Sequence, residues 1–206
     1  MINMNVGGGT ARRYDNRKRA SNAADTGRRI LEATRELFME RPLSEITLIA
    51  VADRAGVTVQ TVIRRFGDRS GLIDATVEHT AAQVMAQRDA APAGNVPGAI
   101  ENLLEHYETT GALALKMLSE EGTSAAVADM TETGRRLHRL WCERVFAPFL
   151  EDDFLPDGAD RGRRLAQFVA LCDVYTWKLL RLDAGLTRDQ VALSLIEMLE
   201  PFTRRP

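Results

Sequence analysis

Apolar residues recur three and four positions apart along most of this chain, which is the spacing of one face of an α-helix. The first such run contains Ile30, Ala33, Leu37 and Phe38, and Pro42 ends it. No segment sustains the alternation of apolar and polar residues that a half-buried strand shows. The pattern therefore predicts an all-α protein.

Two short helices are predicted after the first run. Thr47 is a suitable N-cap for one of them, and Gly56 can end it in the left-handed conformation. Thr58 can cap the next helix, in which Val62 and Phe66 lie four apart on the buried face. Two short helices joined by a tight turn and anchored on a preceding helix are typical of a helix-turn-helix.

The exposed side of the third predicted helix is uncharged at its N-terminal end and carries arginines behind it. In a helix-turn-helix the leading residues of this helix meet base edges, whereas hydroxyls and arginines hold phosphates. We expect Gln60 and Thr61 to reach bases and Arg65 and Arg69 to lie near the backbone. The alternative, an ordinary helical corner with a solvated face, does not predict this division of charge. The candidate DNA-binding residues are Thr47, Thr58, Val59, Gln60, Thr61, Ile63, Arg64, Arg65 and Arg69.

Residues 28–77 resemble the TetR family of bacterial transcriptional regulators. The resemblance rests on the pattern of the first helix, the AGVT turn at 55–58, Thr61, and Phe66 at the end of the motif. It implies an N-terminal three-helix helix-turn-helix domain followed by a C-terminal helical ligand-binding and dimerisation domain. It also implies a double-stranded DNA operator and a small-molecule effector as partners.

Three positions depart from the family pattern. Ile63 stands where Tyr is common, Arg65 where His or Tyr precedes the Phe, and Arg69 where Lys is usual. An aromatic hydroxyl that would contact phosphate is lost at Ile63, while the two arginines keep or strengthen the positive charge. We therefore expect DNA binding to be retained, with an operator sequence that no relative supplies.

Charge and composition divide the chain into segments. Residues 1–88 contain 14 Lys and Arg against 10 Asp and Glu, and residues 89–206 contain 13 against 19. The Ala-, Pro- and Gly-rich stretch DAAPAGNVPGA at 89–99 marks the change. We predict a helix-turn-helix domain at 25–88, which faces a polyanion, and a ligand-binding and dimerisation domain at 89–206.

A basic arm is predicted at 1–24, and we expect it to be disordered in the free protein because it has little to bury. It could enter the minor groove or simply be a solvated leader, and the sequence leaves both open. Its basic residues are Arg12, Arg13, Arg17, Lys18 and Arg19.

The second half is predicted to contain further helices. They run from about Pro97 to Glu121, 124 to 130, 131 to 150, Arg161 to Ala184, and Thr187 to Thr203. By the resemblance, the last two pair with their copies in a homodimer. Two broad apolar stripes fit this pairing, although both could instead pack internally. The stripes are Leu165, Phe168, Val169, Cys172, Thr176, Leu179 and Leu180, and Val191, Leu195, Met198 and Leu199.

An apolar or aromatic effector is expected to bind among large side chains with a few polar groups. Aromatic residues and methionines at helical spacing are more often plain core, so this alternative also stays open. The candidate ligand-binding residues are His106, Tyr107, Met117, His138, Trp141, Phe146, Phe168 and Tyr175.

Enzymatic chemistry finds no support in the motifs. The three histidines are far apart, no Cys/His spacing suits zinc, and no Gly-rich phosphate loop follows a strand. His138 and Cys142 lie four apart but lack a third orienting group, which favours a core interpretation. We therefore expect no catalytic residue, metal or cofactor.

The cellular location is predicted from the thiols and the N-terminus. Two cysteines cannot build a disulfide framework, and neither an apolar signal-peptide core nor a run long enough to cross a bilayer is present. We expect a cytoplasmic protein with no membrane partner.

The function that the sequence predicts is a dimeric, ligand-responsive repressor on a palindromic operator. The alternative is a helical small-molecule-binding protein that has lost specific DNA binding.

Overall fold

A computed structural model describes residues 8–151, 154 and 160–204, with the backbone alone at 8–17, 19 and 20. Within these residues no strand occurs, which confirms the all-α prediction. The helices are α1 Gly8–Glu40, α2 Leu48–Ala55, α3 Val59–Phe66, α4 Arg69–Asp89, α5 Val96–Glu120, α6 Ala125–Val145, α7 Arg161–Leu171, α8 Val174–Lys178 and α9 Arg188–Thr203.

The chain divides into two compact units, Met1–His79 and Thr80–Pro206. Their boundary lies within α4, earlier than the boundary expected after residue 88. The reason is that the end of α4 is bonded into the second unit. Gln87 Nε2 donates to Asn102 O at 2.9 Å, and Asn102 Nδ2 donates to Gln87 O at 2.8 Å.

Helix α1 begins at Gly8, well before the start near Thr26 that the apolar pattern predicts. Residues 8–24, expected as a disordered arm, are therefore helical, and residues 1–7 lie outside the described part. The chain has no proline before Pro42 and no glycine between Thr10 and Thr26. Because each residue added to an existing helix gains a backbone hydrogen bond, helix-compatible polar residues can extend it without burying anything.

The first unit has a small core between α1, α2 and α3. Ile30 and Leu37 on α1 are buried with Val51 on α2 and Val62 on α3. Phe66, expected on the same buried face as Val62, is only half-buried. This core fixes the two short helices against α1 and leaves the outer side of α3 in solvent.

The second unit is arranged around α5, which packs against α6, α8 and α9. Two predicted boundaries are wrong there. Residues 125–145 form one helix rather than two: Thr131 does not begin a second helix, and its hydroxyl donates to Ala128 O at 2.9 Å within the helix. The predicted helix from Arg161 to Ala184 is broken after Leu171, because Asp173 Oδ1 accepts from Tyr175 N at 2.9 Å and so caps α8.

A π-helical turn at Leu179–Asp183 continues α8. Helix α9 then begins at Arg188, and Thr187, the predicted first residue of this helix, is its N-cap and forms a capping box with Gln190. Most of the two predicted apolar stripes is buried within the chain: Leu165, Phe168, Cys172, Val191, Leu195 and Leu199.

Candidate functional site

The turn between α2 and α3 is set by three residues that the sequence identified. Thr47 caps α2 by accepting from Ala50 N at 3.2 Å, and Thr58 caps α3 by accepting from Thr61 N at 3.2 Å. Gly56, with φ at 63°, provides the left-handed residue between the helices. A side chain at this φ is strained, so glycine permits the sharp angle. The three predicted caps are confirmed.

The outer side of α3 forms the candidate interface. Gln60, Ile63, Arg64 and Arg65 are exposed there, whereas Val59 and Thr61 are half-buried. The hydroxyls of Thr58 and Thr61 lie 2.9 Å apart and hold each other at the N-terminal end of the helix. The leading end therefore presents an amide, hydroxyls and apolar surface, and the positive charge follows one turn later.

The three arginines of this region have different surroundings. The Arg65 guanidinium lies over Gly27 of α1, where an added Cβ would be 2.6 Å from Arg65 Cζ. Arg69 Nε donates to Ile46 O at 2.7 Å, and its Nη2 donates to Leu43 O. Arg64, in contrast, makes no hydrogen bond or ion pair with any described residue.

Arg69 therefore has a structural task that the sequence did not reveal. Its guanidinium joins the first turn of α4 to the segment Leu43–Ile46, which leads into α2. Two of its nitrogens, Nε and Nη2, already donate to backbone carbonyls. A contact with phosphate would therefore have to use the other N–H groups of the guanidinium. That Arg69 also contacts DNA stays a prediction.

Two arginines outside the predicted set position the motif. Arg29 Nη2, on α1, donates to Ala55 O at 2.7 Å and so satisfies a carbonyl at the C-terminal end of α2. Arg54, on α2, donates to both carboxylate oxygens of Glu40 at 2.9 and 2.7 Å. This hydrogen bond from Arg54 lowers the pKa of Glu40. No local sequence motif predicts these contacts, because each joins residues that are far apart in sequence.

The interior of the second unit contains most of the candidate ligand-binding residues. Tyr107, Trp141, Phe146 and Phe168 are buried in one core, and the rings of Phe146 and Phe168 stack with centroids 4.3 Å apart. His138 is buried beside Trp141. The remaining three are less buried: His106, whose ring centroid lies 5.1 Å from that of Tyr107, and Met117 are half-buried, and Tyr175 is exposed.

Burial tunes the polar groups of this interior. Desolvation lowers the pKa of His106 to about 3, with a smaller contribution from the Arg88 charge. The Tyr107 hydroxyl donates to Cys172 O at 2.9 Å, and burial raises its pKa. Trp141 Nε1 donates to Arg88 O at 3.1 Å. The aromatic interior is thus held by hydrogen bonds to specific backbone carbonyls.

Among the described residues no three His, Cys, Asp or Glu side chains come together as metal ligands. None of the described helices combines the length and the apolar character needed to cross a bilayer.

The fold and the α2–α3 corner define a helix-turn-helix protein with a separate helical domain. Residues 30–76, within the first unit, match the family model described as bacterial regulatory proteins, tetR family. The similarity to this family therefore covers residues 30–76 of the first unit. Among the curated protein sequences compared with it, none matches.

Solved structures share the fold along most of the chain. A TetR transcription regulator from Haloarcula marismortui aligns with a TM-score of 0.64 and 15% identity, over 86% of this chain and 97% of that one. NalD of Pseudomonas aeruginosa, described as the secondary repressor of the MexAB-OprM multidrug efflux pump, gives 0.59 and 19% over 87% and 97%. SmeT in complex with triclosan gives 0.63 and 19% over 85% and 90%. At these identities the likeness concerns the fold.

Proposed function

We propose that the protein is a ligand-responsive transcription regulator that binds a specific double-stranded DNA operator through α3. The observation that carries this proposal is the face of α3, on which exposed Gln60 precedes the exposed, unpaired Arg64 by one helical turn. A leading amide can read base edges, and a following cation can hold a phosphate. The family match over residues 30–76 supports the same role.

Repression, dimerisation and effector binding are the finer parts of the proposal. NalD is described as a repressor and SmeT is described in complex with triclosan, so both a repressor role and an apolar aromatic effector are reasonable expectations for this fold. The effector would bind near Trp141 and Phe168 and favour the arrangement that does not bind DNA. A ligand with equal affinity for both arrangements would change nothing.

A gel shift with DNA flanking the protein's own gene, followed by selection from a random pool, tests the proposal. We expect one enriched sequence with two-fold symmetry, retarded by the wild-type protein and not by the Gln60→Ala/Arg64→Ala variant. Enrichment of no sequence would contradict the proposal. It would favour a helical small-molecule-binding protein, a possibility that the exposed Ile63 in place of an aromatic hydroxyl supports.

A further inference from the structure

The two cysteines of the chain meet inside the second unit. Cys142 lies on α6 and Cys172 is the C-cap of α7, and both side chains are buried and reduced. Both belong to the same buried core, and the pKa of each thiol depends on the other thiol. The chain contains no other cysteine, so any intramolecular disulfide must be this pair.

His138 lies between this pair and Arg88. Arg88 Nη2 is 3.2 Å from His138 Nδ1, and an arginine can only donate, so Nδ1 is the acceptor and the ring proton is on Nε2. His138 Nε2 is 3.1 Å from Val169 O and 3.7 Å from Cys142 Sγ. The N–H of His138 therefore points toward the carbonyl and the sulfur together, and it favours negative charge on Cys142.

Arg88 provides a buried positive charge without a carboxylate beside it. Within the described residues it forms no ion pair with Asp or Glu, and its Cζ lies 4.3 Å from the centroid of the Trp141 ring. Burial by itself would raise the pKa of Cys142, but hydrogen bonds from Cys172 and His138, together with the Arg88 charge, lower it. The hydrogen bond to Cys142, with burial, raises the pKa of Cys172. The two thiols thus differ, with Cys142 as the nucleophile and Cys172 as the proton donor.

We propose that Cys142 and Cys172 are a peroxide-sensitive thiol pair that closes to an intramolecular disulfide. The Cys142 thiolate attacks one oxygen of hydrogen peroxide, breaks the O–O bond and becomes a sulfenic acid, and hydroxide leaves. The Cys172 sulfur then attacks the Cys142 sulfur, and the sulfenic oxygen leaves as water with the Cys172 proton. Overall, two thiols lose two electrons and two protons, and one peroxide becomes two waters.

The position of the pair gives the bond a structural consequence. Cys172 lies where the chain turns from α7 into α8, next to the Asp173 cap, and Cys142 lies on the neighbouring α6. A disulfide would join α6 to this corner covalently. Because both sulfurs are buried, a small uncharged oxidant can reach them when the structure opens locally, whereas a bulky reagent cannot.

The test uses the intact wild-type protein. The protein is treated with hydrogen peroxide, and catalase then removes the excess peroxide. It is next denatured in the presence of N-ethylmaleimide, which labels any free thiol, and its mass is measured by mass spectrometry. We expect a chain lighter by two hydrogen atoms, without maleimide, monomeric on a non-reducing denaturing gel and restored by dithiothreitol. The bulky disulfide reagent DTNB should react only after unfolding.

Two variants assign the roles of the sulfurs. In Cys172→Ala, Cys142 should stop at the sulfenic acid and take up dimedone that is added with the denaturant, whereas Cys142→Ala should take up none. Retention of two maleimides by peroxide-treated wild type, or a disulfide only between chains, would overturn the proposal. Labelling of Cys142→Ala in place of Cys172→Ala would reverse the roles and overturn the assigned mechanism.

Discussion

The guanidinium of Arg65, on α3, lies over Gly27, on α1, so closely that a Cβ at residue 27 would come within 2.6 Å of Arg65 Cζ. The same guanidinium is 5.9 Å from the centroid of the Phe66 ring. The Arg65 side chain therefore lies over the first helix, although Arg65 as a whole is exposed to solvent. A side chain expected from the sequence to hold phosphate also joins α3 to its support.

A double-mutant cycle between Gly27 and Arg65 tests this contact. In an Arg65→Ala background, Gly27→Ala should stabilise α1 by about 1 kcal/mol, because alanine is the better helix former. With Arg65 present, the new methyl group displaces the guanidinium, so the gain should be smaller or absent. Both tryptophans lie in the second unit, so hydrogen exchange of α1 amides is the appropriate measurement. Equal effects in the two backgrounds would show that the residues do not interact.

Base reading and phosphate holding should separate along α3. Gln60→Ala should cost roughly 1–3 kcal/mol on the best site and relax the preference at one or two base pairs. Arg65→Ala should weaken binding to all sequences similarly and lower the salt slope by about 1. Titrations of the selected operator and its point variants at several salt concentrations measure both effects. Arg136→Ala, an exposed change on α6, is the control.

The opposite pattern would show that the helix is oriented differently. If Arg65→Ala changed which bases are preferred while Gln60→Ala left the preference intact, the N-terminal end of α3 would not enter the groove. A reader of guanine would then have to be sought among Arg64 and Arg65.

Arg69 should affect the stability of the free protein, not only its affinity for DNA. Arg69→Ala removes the donors of two hydrogen bonds to Leu43 O and Ile46 O, and it should cost about 1–3 kcal/mol. Arg69→Lys should recover only part of this, because an ammonium lacks the planar fork. Hydrogen exchange in the segment before α2, without DNA, reports the change. Arg64→Ala should leave that exchange as in the wild type, since Arg64 has no described partner.

The local features of the first unit could be predicted from the sequence. Thr47, Gly56 and Thr58 act within a few residues of themselves, so their types and spacing contain the information. Arg29 could not be predicted in the same way. It satisfies Ala55 O across 26 residues, and only the packing of α1 against α2 brings the two groups together.

The second unit was harder to predict for a related reason. Asp173 reads as one polar residue in an apolar stripe, yet its carboxylate caps a new helix and interrupts the stripe. Thr131 stands at the start of a second predicted helix, yet its hydroxyl bonds within α6. Asp and Thr can each serve either role, and tertiary packing decides between them.

Acid should destabilise the second unit partly through His106. Its pKa is about 3 in the folded protein and near 6.5 when unfolded, because burial disfavours the charged ring. Below about pH 6.5 the unfolded chain binds a proton that the folded one does not, so stability falls by at most about 1.4 kcal/mol for each pH unit. His106→Gln should lose stability less steeply between pH 6.5 and 3, as urea titrations followed by tryptophan fluorescence would show. Parallel curves for the two proteins would mean that His106 is protonated readily in the fold.

Dimerisation should depend on an apolar patch formed by Tyr175, Leu179 and Leu182. These side chains follow one another at helical spacing along α8 and its π-helical turn, and they are 53%, 60% and 52% exposed. Exposed apolar residues at this spacing favour contact with another helix, and we expect a second copy of the chain to provide that helix. Light scattering at micromolar concentration should therefore give about twice the chain mass of 22.8 kDa.

Charge in this patch should separate the subunits, because an apolar contact does not accommodate two buried carboxylates. Leu179→Glu/Leu182→Glu should be folded, by circular dichroism, and close to the mass of one chain. Leu140→Glu, on α6 with 51% exposure, is a matched control and should stay dimeric. If the wild type remained one chain as its concentration rises, the patch would have another role, and the palindromic operator would lose its structural basis. A double variant that stays dimeric would instead place the contact elsewhere, with Leu193 and Met198 of α9 as the next residues to change.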